Sequence, residues 1–184
     1  MKFTAPLGTP AGLHLLSVPT PNTSIREDAR LRIREALKAR LRELLGSSGN
    51  DAVLLSMPGQ AVCLAAPLAH IGLSISHETG FSVAAINLAG PVGIDVMRLR
   101  TALPDLGALA LDYLGQAVYD AIQQHPAVAR PEVFARAWTA HEACLKCLRL
   151  PLVEWTPALA KSLATCNSMA IEAAPGWVAS VAFC

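Results

Sequence analysis

The stretch Phe134-Ala-Arg-Ala-Trp-Thr-Ala-His-Glu-Ala-Cys-Leu-Lys-Cys-Leu148 decides how the rest of the chain is read. Phe134, Trp138, His141, Leu145 and Leu148 fall at the alternating spacing of one buried helical stripe. Trp138, Glu142 and Lys146 recur at every fourth position, so an indole, a carboxylate and an ammonium share a second face, one turn apart. Pro131 suits the first turn of such a helix, and Pro151 ends it. Two readings are open here. The helix is a plain amphipathic one with a charged face, or it presents Glu142 and Lys146 to a metal ion and a phosphate.

The flanking segments set the fold class. Downstream, residues 156–163 suit a short helix, and 169–173 pairs with 178–183 as a hairpin across Ala174-Pro-Gly176. Upstream, two helices are expected over 104–114 and 116–124, with Gly115 between them and a linker at 126–131. Before those come strands at 73–77, 81–88 and 92–96, and shorter ones at 53–57 and 61–66. Residues 47–51 read as a loop. Residues 1–12 are a Pro-, Gly- and Thr-rich lead-in, followed by a strand at 13–18 and a turn at 19–23. Ser24-Ile-Arg-Glu27 spells a capping box, so a helix should run from 25 to 45. Its core face is Ala29, Ile33, Leu37, Leu41 and Leu44. A second stripe, Arg26, Arg30, Arg34, Lys38 and Arg42, is basic at every fourth position. That stripe is either a solvated face, offset by Glu27, Asp28, Glu35 and Glu43, or a docking ridge for an acidic partner. Helix followed by strands occurs in both halves. The pattern suggests an α+β protein of two related lobes, 1–97 and 98–184.

Composition narrows the chemistry. The chain has 184 residues, 53% hydrophobic and only 16% charged, with a formal net charge of +1. It can bury a substantial core, and no global field favours nucleic acid or a membrane surface. The start lacks the apolar run of a signal peptide, and no stretch of ~20 apolar residues could span a bilayer. Five scattered cysteines form no disulfide framework, so a reducing cytoplasm is expected.

Three short constellations carry candidate chemistry. In Gly93-Ile-Asp95-Val, an aspartate interrupts a buried apolar run, either as a turn cap or as a metal ligand at a strand end. In Ser74-Ile-Ser76-His77, a strand ends in hydroxyl and imidazole groups that could contact a phosphate or simply form a rim. Cys144-x-x-Cys147 has a redox spelling but lies inside a helix, where small core residues are expected. No second Cys/His pair lies at zinc spacing. The glycine-rich phosphate-binding and nucleophile-elbow spellings are absent.

Taken in order, Leu73-Ser-Ile-Ser-His77, Gly93-Ile-Asp95-Val and Trp138-x-x-His-Glu142-Ala-x-x-Lys146 resemble the 4′-phosphopantetheinyl transferases, of the two-lobed, surfactin-synthetase-activating type related to holo-acyl-carrier-protein synthase. The resemblance covers about residues 70–150. It implies transfer of the phosphopantetheine arm of coenzyme A to a serine of an acyl or peptidyl carrier protein, with release of 3′,5′-ADP. It also implies a pseudo-twofold α+β fold with the site in the cleft between the two lobes. Asp95 and Glu142 would hold Mg2+. Glu142 and Lys146 would be the catalytic pair, and Ser76, His77, His141 and Lys146 would contact coenzyme A. The partner would be an acidic carrier protein, docking on the basic stripe from Arg26 to Arg42. A monomer is expected, because one chain supplies both sides of the cleft.

The sequence departs from the family pattern at several points. The second acid after Asp95 is Met97, and a thioether is a poor magnesium ligand. The lysine before Glu142 is His141. The Gly-Lys-Pro segment has only Pro58-Gly59-Gln60 as its counterpart. A glycine after the last helix is replaced by Arg149-Leu-Pro151. Two further readings therefore stay open: a homologue that binds carrier protein or coenzyme A without efficient transfer, and a magnesium-dependent phosphohydrolase using the same acids.

Overall fold

The computed structural model describes residues 9–20, 26–55, 61–100 and 105–184. The capping serine Ser24, most of the lead-in and the 56–60 segment with Gln60 lie outside the described residues. In chain order, the strands are β1 (Leu13–Pro19), β2 (Leu54–Leu55), β3 (Cys63–Leu64), β4 (Gly72–Glu78), β5 (Phe81–Asn87), β6 (Val92–Arg98), β7 (Asn167–Ile171) and β8 (Trp177–Phe183). The helices are α1 (Arg26–Leu45), α2 (Ser47–Asn50), α3 (Leu106–Leu109), α4 (Gln116–Gln123), α5 (Arg130–Cys147) and α6 (Pro157–Leu163). A π-helical turn, Ala110–Leu114, continues α3.

The fold is α+β, as expected. Two antiparallel three-stranded sheets carry it, in the orders β1-β5-β4 and β6-β8-β7. Both place their first, third and second strands side by side in that order, and both have one long helix between the first strand and the next. Apolar alternation on β5 sorts Phe81, Val83 and Ala85 to one face and Ala84 and Ile86 to the other. The second face is covered by Ile33, Leu37 and Leu41 of α1. The first face packs on Val92, Ile94 and Val96 of β6 and on Ala179 and Val181 of β8. Phe81 and Trp177 join the two sheets with ring centroids 5.2 Å apart. Helix α5 covers the far face of the second sheet.

Several expectations change in detail. The short strands at 53–57 and 61–66 shrink to β2 and β3, which pair only as Leu54↔Leu64 and Leu55↔Cys63. Residues 47–50 form a helical turn rather than a loop. β6 pairs with β8 from Val92 to Arg98, so the second sheet begins upstream of the expected 97/98 division. The stripe predicted for α5 is only part of its buried face: Phe134 and Leu145 are buried as expected. Ala135, Thr139, Ala143 and Cys147 are buried, together with Phe134, Cys144 and Leu145, whereas Trp138, His141 and Leu148 are half-buried.

The reason is how close α5 lies to the sheet. A Cβ at Gly93 would collide with the carbonyl oxygen of Ala143 and the amide nitrogen of Cys147. Only glycine on β6 and small residues on α5 allow this backbone-to-backbone seat. Thr139 adds a buried hydroxyl contact to Ser180 of β8 at 2.9 Å. The segment at 156–163 is helical, with Thr156 capping α6 by accepting from the Leu159 N–H at 3.1 Å.

Candidate active site

β4 and β6 are edge strands of their respective sheets, and they lie against each other. Gly72 makes this possible, because a Cβ there would strike the Gly90 carbonyl and crowd the Val92 amide. Further along, Ser74 Oγ accepts the Ile94 N–H at 3.0 Å. The edge of β6 therefore has a side-chain partner where it lacks a strand partner. Period two then carries Ser76 to the same side as Ser74.

Ser76 Oγ donates to Asp95 Oδ1 at 2.7 Å. Lys146 Nζ, from the last turn of α5, donates to the same Oδ1 at 2.6 Å, to Ser76 Oγ at 3.2 Å and to the Ile94 carbonyl at 3.2 Å. All three ammonium donors are thus engaged. Asp95 is only 7% exposed, and a carboxylate that buried requires such partners. The seat of Gly93 against Ala143 and Cys147 is what brings Lys146 within reach.

Glu142 lies one turn before Lys146 and is half-buried. Burial raises its carboxyl above the ordinary glutamate range, the nearby Asp95 charge adds to the rise, and Lys146 offsets part of it. Asp95 and Glu142 open onto one cleft of about 420 Å3. Ser76, His77, Glu78, Met97, Trp138 and Lys146 also line it. Among the described residues, the lining thus holds three carboxylates against one ammonium. This is an acidic, oxygen-rich wall of the kind that suits a hard divalent cation.

The remaining expected residues are distributed as follows. His77 stands at the rim; alternation turns its ring to the opposite face of β4, where Nδ1 meets Ser82 Oγ at 2.8 Å. His141 is not part of the cleft lining. Its Nε2 is buried and has no hydrogen-bond partner among the described residues, and burial lowers its pKa, favouring the neutral ring. Met97 lines the cleft and also packs against the Ala110, Leu114 and Phe134 cluster. Trp138 stacks on Phe134 at 5.4 Å and meets the edge of Tyr113 at 5.7 Å, so it is both packing and cleft wall. Glu78 was not singled out from the sequence. Its signal was the alternation Ser74, Ser76, Glu78, which sets all three on one face.

Residues 91–175 match the family described as the 4′-phosphopantetheinyl transferase superfamily. A curated relative, the 4′-phosphopantetheinyl transferase HetI of Nostoc sp. (strain PCC 7120), is 32% identical over 73 residues. The aligned stretch is 40% of this chain and 30% of that relative.

Residues 91–175, just under half of the chain, carry the likeness to the 4′-phosphopantetheinyl transferase superfamily.

The matched segment runs from just before β6 through α5 to the end of the second sheet's hairpin turn. It contains Asp95, Glu142 and Lys146. Ser76, His77 and Glu78 lie outside it, so the β4 side of the cleft rests on geometry and sequence order alone.

Proposed function

We propose that the protein transfers the 4′-phosphopantetheine arm of coenzyme A to a serine of an acyl or peptidyl carrier protein. The observation that carries this reading is the convergence of Asp95, Glu142 and Lys146 on one cleft, within a segment that matches the superfamily. In the reaction, the carrier serine oxygen forms a bond to the phosphorus next to the pantetheine arm, the bond from that phosphorus to the bridging oxygen breaks, and 3′,5′-ADP leaves.

Asp95 and Glu142 are the residues that would hold Mg2+, and Glu78 on the opposite strand would offer the oxygen that Met97 cannot. The ion would supply charge neutralisation of the pyrophosphate and the leaving group. Glu142, its carboxyl raised by burial and by Asp95, would take the serine proton. Lys146 is held by Asp95, Ser76 and the Ile94 carbonyl. It would therefore act first as a fixed positive charge beside the phosphate and would hydrogen-bond to it only after releasing one of those partners. Ser76 would face a coenzyme A phosphate along the β4 edge, and His77, at the rim, would join it by turning its ring from Ser82. His141, outside the cleft lining and with its Nε2 buried, is left out of these contacts.

The carrier would dock on the outer face of α1, where Arg30, Lys38 and Arg42 are exposed. We further read the two like-ordered sheets as two related lobes. A monomer would suffice, since β4, β6 and α5 complete the cleft within one chain. A second reading, a binding homologue with weakened transfer, is favoured by Met97 in place of a second acid on β6.

One experiment separates these readings. The protein is incubated with coenzyme A, Mg2+ and several apo carrier proteins, and carrier mass is followed. A gain of one phosphopantetheine is expected. Carrier binding without a mass change would favour the second reading. Coenzyme A breakdown without carrier modification would point to phosphohydrolysis and overturn both.

A further inference from the structure

Away from the cleft, three thiols converge at the other edge of α5. Cys147 is the last residue of that helix, Cys166 directly precedes β7, and Cys184 directly follows β8. Cys147 Sγ lies 3.5 Å from Cys184 Sγ, and Cys166 Sγ lies 3.0 Å from it. All three sulfurs fall within 4.8 Å of one another. None of these residues lines the cleft.

Regular structure builds this arrangement. The terminal pair of the second hairpin is Asn167↔Phe183, so the next step outward sets Cys166 opposite Cys184. Cys147 is placed by the seat of α5 on Gly93. Its packing neighbours include Cys144, Ala182 and Cys166. The cluster grades from buried Cys147 through half-buried Cys166 to exposed Cys184, which leaves an entry path for an ion.

We propose that Cys147, Cys166 and Cys184 form a thiolate site for a soft d10 cation, zinc(II) or copper(I). Two thiolates sharing one tetrahedral ion at ~2.3 Å stand about 3.8 Å apart; the separations from Cys184, 3.0 and 3.5 Å, are a little shorter, and all three sulfurs stay within 4.8 Å, so small side-chain shifts would open the site to an ion. On binding, each thiol releases its proton to solvent and gives a sulfur lone pair to the ion, with no change of oxidation state. A tetrahedral ion would have a fourth position, which water could fill from the exposed Cys184 side. Such an ion would tie the chain's last strand to the helix that carries Glu142 and Lys146. This inference does not depend on the transfer activity.

The test uses the reduced full chain, with Zn2+ alone and Cu+ alone as probes, each titrated against a chromophoric chelator. One ion per chain is expected. Co2+ substitution should give a thiolate-to-cobalt charge-transfer band. Cys184→Ser, at an exposed position, should weaken zinc binding at least about tenfold and remove the zinc-dependent rise in Tm. Cys166→Ser should do the same, which keeps the test independent of any one variant's folding. Excess Mg2+ should not displace the zinc. The proposal fails if both variants bind zinc as tightly as the parent, if no thiolate band appears, if Mg2+ displaces the ion, or if neither probe binds.

Discussion

The two sheets share one strand order, but their long helices meet them differently. α1 rests on large aliphatic side chains, with Ile33, Leu37 and Leu41 fully buried against the first sheet. α5 rests on Ala135, Thr139, Ala143 and Cys147, and its backbone touches β6 at Gly93. Large side chains hold a helix away from the strands, and from α1 it is the long Arg40 that reaches the sheet, its Nη2 3.3 Å from His14 Nδ1 of β1. Small side chains let the helix come close, so Glu142 and Lys146 reach around to the strand edge and meet Asp95 and Ser76. One helix–sheet layer therefore serves as a core, and the other supports a charged cleft.

This contrast can be broken experimentally, with the largest effect expected at the cleft. Asp95→Ala and Glu142→Ala should each lower Mg2+-dependent carrier modification at least about a hundredfold, as the mass assay would read. Full activity in either variant would remove the carboxylates from the proposed site. On the α1 side, Leu37→Ala should cost about 2–5 kcal/mol in denaturant unfolding while leaving transfer per folded molecule unchanged. A parallel loss of transfer would mean that the first layer shapes the cleft as well. Gly93→Ala should affect both properties: about 1–3 kcal/mol of stability from overpacking, together with slower transfer, because the added Cβ meets backbone atoms that cannot rotate aside. The smallest effect is expected at the exposed face of α1. Arg30→Glu with Lys38→Glu should weaken carrier binding several-fold at low salt and leave coenzyme A binding unchanged. Equal effects on both ligands would refute docking there.

Much of this contrast was legible in the residues. Alternation marked β4, short apolar runs bounded by turn residues marked β1, β5, β6 and the last hairpin, and period 3.6 marked α1 with its buried face. The Glu142–Lys146 spacing marked a polar face that does line the cleft. Less legible was which face α5 buries. The stripe from Phe134 to Leu148 was chosen for size and apolarity, whereas the sheet selected the small residues beside it. Gly93 is the position that explains the choice, but a glycine in a strand does not reveal from sequence which backbone approaches it. Glu78 was missed for a related reason. It closes the hairpin between β4 and β5, and only the adjacency of two sheet edges turns it into a cleft wall.

The cysteines show the same division. Cys144 and Cys147 read as core residues, and no second pair at ligand spacing was visible, because spacing rules describe ligands that are close along the chain. Cys166 and Cys184 are brought together by the β7–β8 register, and Cys147 joins them through the seat of α5. The sequence by itself determined the elements, the α+β class and the family to which residues 91–175 belong, because periodicity and motif order are local properties. The tertiary structure alone decided which side chains share a cleft or a thiol cluster. Those meetings depend on how closely backbones approach at Gly72 and Gly93, a distance set by packing across the whole sheet.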